Sequence, residues 1–152
     1  MDNGIFREYD IRGIAGEDFT AADVERLGKA IGTYLRQNGR TTAAVGRDCR
    51  VTSDAYNEKI IAGLRSVGCD VTDIGVCPTP VFYFSIHHFT LGGGVMVTAS
   101  HNPPEYNGFK LCLGVDSIFG KDILKIRDIA DSGAFESGAG TLTTADPVAP
   151  YR

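Results

Sequence analysis

The segment from Thr98 to Lys110, which reads TASHNPPEYNGFK, holds the side chains of this chain that are best suited to chemistry. Ser100 provides a hydroxyl that can act as a nucleophile, and Lys110 provides a cation further along the same segment. The segment follows a predicted strand, and ligands of open α/β sheets bind outside the carboxyl ends of the strands. The same residues also fit an ordinary Asn-, Pro- and Gly-rich loop, in which Asn107-Gly108 forms a turn and the serine is incidental. Both interpretations remain open at this point.

A hydrolase serine fits the segment poorly. The nucleophile elbow of hydrolases has the pattern G-x-S-x-G, because a strained turn requires small residues on both sides of the serine. Thr98 and Asn102 occupy those two positions here, and no histidine follows His101 in the sequence. Acyl transfer by Ser100 is therefore kept only as an alternative function, which labelling by a serine-directed inhibitor would test.

Alternating strands and helices must position these side chains. Apolar runs predict four strands, at 42–45, 71–74, 95–98 and 109–113. Apolar spacing predicts four helices, which begin after the N-caps Thr20 and Ser53 and span 81–89 and 118–129. No periodicity is visible in the first dozen residues. The alternation predicts an α/β domain with a sheet covered on both faces.

Composition and charge restrict the class of protein. The chain has 152 residues, of which 43% are hydrophobic and 22% are charged, as in soluble folded domains. The net charge of −4 and the lack of a basic tract argue against nucleic acid or an anionic membrane as the main partner. No long apolar stretch and no secretory leader are visible, so we expect a cytoplasmic protein. Residues 132–152 are rich in small, polar, Gly and Pro residues and are predicted to form a linker or tail.

Cysteine and histidine provide no pattern of a metal site. Cys49, Cys69, Cys77 and Cys112 contain no C-x-x-C pair, so the sequence predicts four reduced thiols and no structural zinc. His87 and His88 fall on a predicted helix, where a solvated face explains them better than metal binding.

Four segments resemble motifs of the α-D-phosphohexomutases. TASHNPPEYNGFK resembles the loop that carries the active serine of this family, and this match is long and specific. Three shorter segments resemble an opening motif, a following loop and a proline loop; they are FREYDIRG at 6–13, GRDCR at 46–50 and CPTP at 77–80. All four occur in the order of the family. The form FREYDIRG is similar to the phosphomannomutase/phosphoglucomutase branch.

The resemblance implies a fold and a domain organisation. Residues 1–131 are expected to form the first domain of the phosphoglucomutase type, a three-layer α/β/α unit with a mixed four-stranded sheet. Residues 132–152 would then be the linker or tail toward a second domain. The domains II–IV of the family are expected as partners in cis or in trans, and the chain alone is expected to be inactive.

The resemblance also implies a reaction and its residues. Ser100 would be the phosphoserine that transfers a phosphoryl group between O1 and O6 of a hexose phosphate through a hexose bisphosphate. Lys110 and Arg12 would be catalytic, and Tyr9, Arg47, His101 and Asn102 would bind substrate or phosphate. Mg²⁺ is implied as cofactor, with a Ser100 phosphoryl oxygen as one ligand. The remaining ligands would come from a D-G-D-x-D-R loop of a domain that this sequence does not contain.

Each of these side chains also has a simpler structural interpretation. Arg12 could only clamp Asp10, and Arg47 could form a loop-ordering ion pair with Asp48. The imidazole of His101 could fix the serine loop by a hydrogen bond, and Tyr9 and Tyr106 could be packing aromatics. The alternative function for the whole chain is a standalone, non-catalytic module that binds a phosphosugar or a protein. Preference for mannose or glucose does not follow from these residues.

Overall fold

The computed structural model describes residues 1–151 and shows α/β architecture along this part of the chain. After a 3-10 turn at Asn3–Ile5, the strands are β1 (Ile11–Ile14), β2 (Thr42–Arg47), β3 (Asp70–Val76), β4 (Gly93–Val97), β5 (Tyr106–Leu113), β6 (Asp116–Ser117) and β7 (Leu142–Thr144). The helices are α1 (Ala21–Gln37), α2 (Ser53–Ser66), α3 (Thr79–His88), α4 (Lys121–Ser132) and α5 (Val148–Tyr151). No helix in the described residues is both long and apolar enough to cross a membrane.

The strands form one mixed sheet in the order β1-β5-β4-β2-β3-β7, with β6 paired to β5. Strands β4, β2, β3 and β7 are parallel to one another, whereas β5 is antiparallel to both β4 and β1. The four predicted strands are β2 to β5 at the centre of the sheet. The sheet nevertheless has seven strands rather than the expected four. The additional strands β1, β6 and β7 are short and lie toward the edges.

Helices cover the sheet on both faces, which gives the predicted three layers. The larger part of the core joins one face of the sheet to helices α1, α2 and α4, through side chains such as Leu27, Ile60 and Ile126. The smaller part joins the other face to α3 through Phe82, Ile86 and Met96.

The helix ends show one correct prediction and two corrections. Thr20 and Asp23 form the predicted capping box at the start of α1. The N-cap of α2 is Thr52 instead of Ser53, because the Ser53 hydroxyl donates to Asp48 Oδ1 over 2.6 Å. Helix α4 begins at Lys121 and not at residue 118, after Gly120 at a φ of 55° that favours glycine.

Part of the segment predicted as a linker or tail lies against the sheet. Strand β7 pairs with β3, and Arg65 Nε donates to the carbonyl of Gly140 over 3.0 Å. The ring of Phe135 lies 5.2 Å from the guanidinium carbon of Arg26. The division of the chain at residue 131 stays a prediction.

Candidate active site

Ser100 lies just beyond the carboxyl end of β4, on the surface. Thr98 and Ala99 before it are buried, whereas Ser100 is exposed. Its backbone is left-handed, with a φ of 56°, and its amide donates to Thr98 Oγ1 over 3.0 Å. A left-handed residue other than glycine costs about 1–2 kcal/mol, so the surrounding contacts must hold it there. Asn107 and Gly108 lie within β5, so the alternative of a turn at these two residues does not hold.

Two of the predicted cations meet at one buried carboxylate. Arg12 on β1 forms an ion pair with Asp10, and Lys110 Nζ on β5 lies 4.0 Å from the same Asp10 oxygen. The Asp10 side chain is only 6% exposed. Gly108 is paired with Arg12 across the two strands, and a Cβ at Gly108 would lie 3.3 Å from the Cβ of Arg12. That Cβ would meet the carbonyl oxygen of Ile11 first, so the bare backbone of Gly108 allows β5 to approach the backbone of β1.

Arg12 also contacts the loop that carries the serine. Its Nη1 donates to Asn102 Oδ1 over 2.7 Å, two residues beyond Ser100. The buried Arg12 Nε has no hydrogen-bond partner among the described residues. The structure thus joins Arg12 directly to Asn102, on the loop that carries Ser100, and joins Arg12 to Lys110 through Asp10. The alternative contact of Arg12 with Asp10 is present as well.

Arg47 lies among different neighbours. Its Nε donates to Asp54 Oδ1 over 2.6 Å, and its Nη1 lies 3.6 Å from Asp73 Oδ1. These contacts join β2 to α2 and β3, and within residues 1–151 none joins Arg47 to the serine loop. The alternative ion pair with Asp48 is wrong, because Asp48 pairs with Arg50.

Tyr9 and His101 are both exposed on the surface. Tyr9 is 73% exposed, so its ring is not a packing aromatic. The His101 side chain forms no hydrogen bond within residues 1–151. No side-chain hydrogen bond within residues 1–151 fixes Tyr9 or His101, so neither of them holds the serine loop in place.

Arg50 holds the serine loop in place, and sequence reasoning missed this residue. Its side chain is 13% exposed and all five of its N–H groups have acceptors. Nε donates to Asp48, while the two Nη atoms donate to four backbone carbonyls of the loop, those of Ser100, Asn102, Pro103 and Tyr106. The only sequence signal was its place as the second arginine of GRDCR.

A second set of polar contacts that sequence reasoning missed holds the end of the loop. The side-chain nitrogen Nδ2 of Asn107 donates to Thr52 Oγ1 over 2.8 Å and to Ser53 Oγ over 3.1 Å. Ser53 in turn donates to Asp48. The start of α2 therefore supports both the arginine and the strand at which the loop re-enters the sheet.

The described residues do not by themselves form a magnesium site. They contain no group of three or more His, Cys, Asp or Glu side chains placed to hold a metal ion. The carboxylate of Asp10 is already shared by Arg12 and Lys110.

Ser100 lies outside the cleft of about 580 Å³ that is formed between residues 6–8 and 119–124. Its surface is open to water.

The comparisons with known proteins agree with this architecture. A sequence model of the family described as "Phosphoglucomutase/phosphomannomutase, alpha/beta/alpha domain I" matches residues 3–137. A "Phosphomannomutase/phosphoglucomutase" of Pseudomonas aeruginosa is 38% identical over 147 residues, which are 97% of this chain and 32% of that protein. A "Phosphoglucomutase/phosphomannomutase" of Thermococcus kodakarensis is 46% identical over 109 residues, covering 70% of this chain and 24% of the relative.

Solved structures show the same likeness. A phosphoglucomutase/phosphomannomutase family protein of Burkholderia thailandensis superposes with a TM-score of 0.94 at 34% identity, over 99% of this chain and 35% of that one. A structure described as a phosphomannomutase of Thermus thermophilus superposes with a TM-score of 0.86 at 31% identity, over 99% of this chain and 35% of its own. The chain spans about a third of the length of the relatives it matches. It belongs to the phosphoglucomutase/phosphomannomutase family and corresponds to the α/β/α domain I of that family.

Proposed function

We propose that this chain is the phosphoserine-bearing domain of a phosphohexomutase, and that Ser100 carries the transferred phosphoryl group. The observation that supports this most is the exposed, left-handed Ser100 at a strand end, on a loop that Arg12 contacts directly. Strained backbone at such a position is typical of functional sites. The names of the similar proteins support hexose phosphates as the substrate class.

The proposed reaction consists of two phosphoryl transfers, one from Ser100 to the sugar and one from the sugar back to Ser100. A free hydroxyl of the hexose monophosphate attacks the phosphorus, the bond from phosphorus to Ser100 Oγ breaks, and the sugar becomes a bisphosphate. The proton of the attacking hydroxyl is released, and Ser100 Oγ regains one. The bisphosphate reorients, Ser100 Oγ attacks its other phosphorus, and the product leaves with its phosphate on the other oxygen.

The cations at this edge of the sheet would stabilise the charge of the transfer. Phosphoryl transfer spreads negative charge over the equatorial oxygens, so positive groups held in place lower the barrier. Arg12 and Lys110 share the single carboxylate of Asp10, so the three groups together keep one positive charge. In this proposal Lys110 also exchanges the proton of the reacting oxygen. Tyr9, His101 and Asn102 bind substrate or phosphate near the loop.

Arg47 has a weaker place in the proposal than the other cations. Its two carboxylate partners offset its charge, and its contacts lie toward α2 and β3. We keep it as a phosphate-binding residue only for a substrate that extends along the carboxyl ends of the strands.

The remaining parts of the reaction belong in this proposal to the whole enzyme. Ser100 is exposed, and a phosphoserine that must survive between turnovers needs a site from which water is excluded. The proposal therefore includes further domains, in cis or in trans, that cover Ser100 and contact the hexose. The additional ligands for Mg²⁺, beside a phosphoryl oxygen of Ser100, would come from those domains.

A coupled assay tests this division of labour. The chain alone is expected to form no appreciable glucose 6-phosphate from glucose 1-phosphate. Addition of a polypeptide with the remaining domains of a relative is expected to produce turnover that Ser100→Ala abolishes. Robust turnover by the chain alone would contradict the proposal, as would turnover by the mixture that survives Ser100→Ala.

A further inference from the structure

We propose that Arg50 is the positioning residue of the serine loop, which it holds in the conformation that presents Ser100 for phosphoryl transfer. The inference rests on the proposed function for its catalytic consequence, and on the hydrogen bonds of Arg50 for its structural part. Arg50 touches no reacting atom in this scheme; it acts through the backbone of the loop.

All N–H groups of the Arg50 guanidinium are used in contacts that hold the loop or its anchor. Four carbonyl oxygens of the loop converge on one guanidinium at distances of 2.8–3.2 Å from its Nη atoms. They belong to both ends of the loop, from Ser100 to Tyr106. A guanidinium has five N–H groups in a rigid plane, and here the fifth binds Asp48. A single side chain therefore fixes the path of the whole loop.

Arg50 is itself anchored by Asp48. Asp48 accepts from both Nε and the backbone amide of Arg50, at 3.2 Å and 3.0 Å, and also from Ser53 Oγ. The amide of Asp48 donates to the carbonyl of Val97, the last residue of β4. The guanidinium is thus tied to the strand from which the serine loop departs.

The direction of two loop carbonyls affects the charge around Ser100. The carbonyls of Ser100 and Asn102 each lie 2.8 Å from an Nη atom of Arg50, so their negative ends face the arginine. Carbonyl oxygens turned toward a phosphoryl group would repel it. By accepting from Arg50, they are kept away from the anion while Ser100 remains left-handed and exposed.

Lysine cannot replace this arginine. Its ammonium group has three donors around a point, which cannot reach four carbonyls and a carboxylate that surround a plane. Arg50→Lys therefore separates the charge from the geometry, because it keeps the positive charge and nearly the same stem.

Hydrogen exchange and phosphoryl transfer test the inference together. The unaltered chain is compared with Arg50→Lys, Arg50→Ala and the control Arg36→Ala. Arg36 also donates to two backbone carbonyls, those of Val67 and Ser137, away from the serine loop. Amide exchange is followed by mass spectrometry. The transfer rate to Ser100 is measured with a hexose 1,6-bisphosphate as donor, in the presence of Mg²⁺ and a polypeptide with the remaining domains of a relative.

We expect both Arg50 variants to speed amide exchange in residues 99–106 at least tenfold, with the sheet still protected. We expect the transfer rate to fall by about a hundredfold, as for a misplaced reacting group. Arg36→Ala should alter neither quantity in this loop. If Arg50→Ala does not fold, Arg50→Lys carries the test.

The two failures are distinguishable. Unchanged loop exchange in Arg50→Lys would overturn the positioning role, as would loop loosening with an unchanged transfer rate. If the unaltered chain accepts no phosphoryl group even in that mixture while the Arg50 variants still loosen the loop, the proposed function fails and the structural part of the inference stands.

Discussion

The guanidinium of Arg12 and the side-chain amide of Asn102 are joined by a hydrogen bond of 2.7 Å, although 90 positions separate the two residues in the chain. The bond connects the edge strand β1 to the loop that carries Ser100. Arg50 holds the backbone of the same loop. The serine loop is therefore fixed at a side chain by one arginine and at its carbonyls by another.

Asn102→Ala is expected to uncouple Arg12 from the loop. Since Arg12 Nε already lacks a partner, loss of the Nη1 bond leaves the guanidinium with Asp10 alone. We expect the free energy of unfolding to fall by about 1 kcal/mol, the usual cost of one lost hydrogen bond. Phosphoryl transfer to Ser100 should slow by about fivefold, which corresponds to the same energy.

Asn38→Ala is the matched control for that variant. Asn38 donates to the Tyr34 carbonyl over 2.8 Å at the end of α1, away from the loop. It should lower stability by a similar amount, measured by urea unfolding, with no effect on transfer. Equal transfer rates in the two variants would contradict the role assigned to the Arg12–Asn102 bond.

Asp10→Asn is expected to destabilise the chain strongly. It leaves Arg12 and Lys110 facing one another without the carboxylate that they share, in a partly buried position. Removal of one partner of a buried ion pair costs about 3–5 kcal/mol, and the partial exposure of both cations places the expected loss near the lower end. Asp54→Asn, which affects an exposed partner of Arg47, should cost less than about 1 kcal/mol in the same urea titration. Similar losses for both variants would contradict this description of Asp10.

Thr90→Gly is expected to stabilise the chain by about 1 kcal/mol. Thr90 is the other non-glycine residue with positive φ in residues 1–151, at 53°. Its amide donates to the carbonyl of His87, and the amide of Leu91 donates to the carbonyl of Ile86. These two bonds form the Schellman pattern of a helix end. A glycine adopts this conformation without the strain of a branched Thr side chain. Thermal unfolding measures the gain, and a lower melting temperature would contradict it.

The chain is expected to lose stability at alkaline pH. Burial raises the pKa of the Cys69 and Cys77 thiols to about 11, and that of Cys112 to about 12. Because the folded-state pKa values are raised, this contribution to stability is complete below about pH 9, where the unfolded thiols are also neutral. It is lost as the pH rises from 9 toward 11 and 12.

Cys112→Ala should reduce that pH dependence. The variant removes one proton from the difference in bound protons between the folded and unfolded states. Above pH 9, the free energy of unfolding should therefore fall less steeply, by about 1.4 kcal/mol per pH unit. Cys49→Ala, at the exposed thiol, serves as the control. Urea unfolding at a series of pH values measures the slopes, and identical slopes for the two variants would show that Cys112 is not held neutral.

The central part of the fold could be predicted from the sequence, but the edges could not. Strands β2 and β4 are buried almost without interruption because both faces of the sheet are covered, and β3 and β5 each contain a shorter apolar run. Strand β7 consists of exposed residues, so no apolar pattern marks it, and its pairing with β3 supplies its structure. The residues of β1 likewise become a strand by pairing with β5.

The site shows a similar division. The resemblance to a family indicated Ser100, Arg12 and Lys110, whereas Arg50 could not be found because its acceptors are backbone carbonyls, which leave no side-chain pattern. Arg47 and Asp48 are neighbours in sequence, yet they have separate partners at the end of β2. Neighbouring residues of an extended chain point in opposite directions, so adjacency was a poor guide to ion pairing.

The most direct test of the central claim is the phosphorylation state of Ser100. Protein from its native source, and the chain after incubation with a hexose 1,6-bisphosphate, Mg²⁺ and a polypeptide with the remaining domains of a relative, would be examined by intact and tandem mass spectrometry. We expect one phosphoryl group, located on Ser100 and lost in Ser100→Ala. A phosphoryl group that persists in Ser100→Ala, or no phosphoryl group in either sample, would contradict the claim.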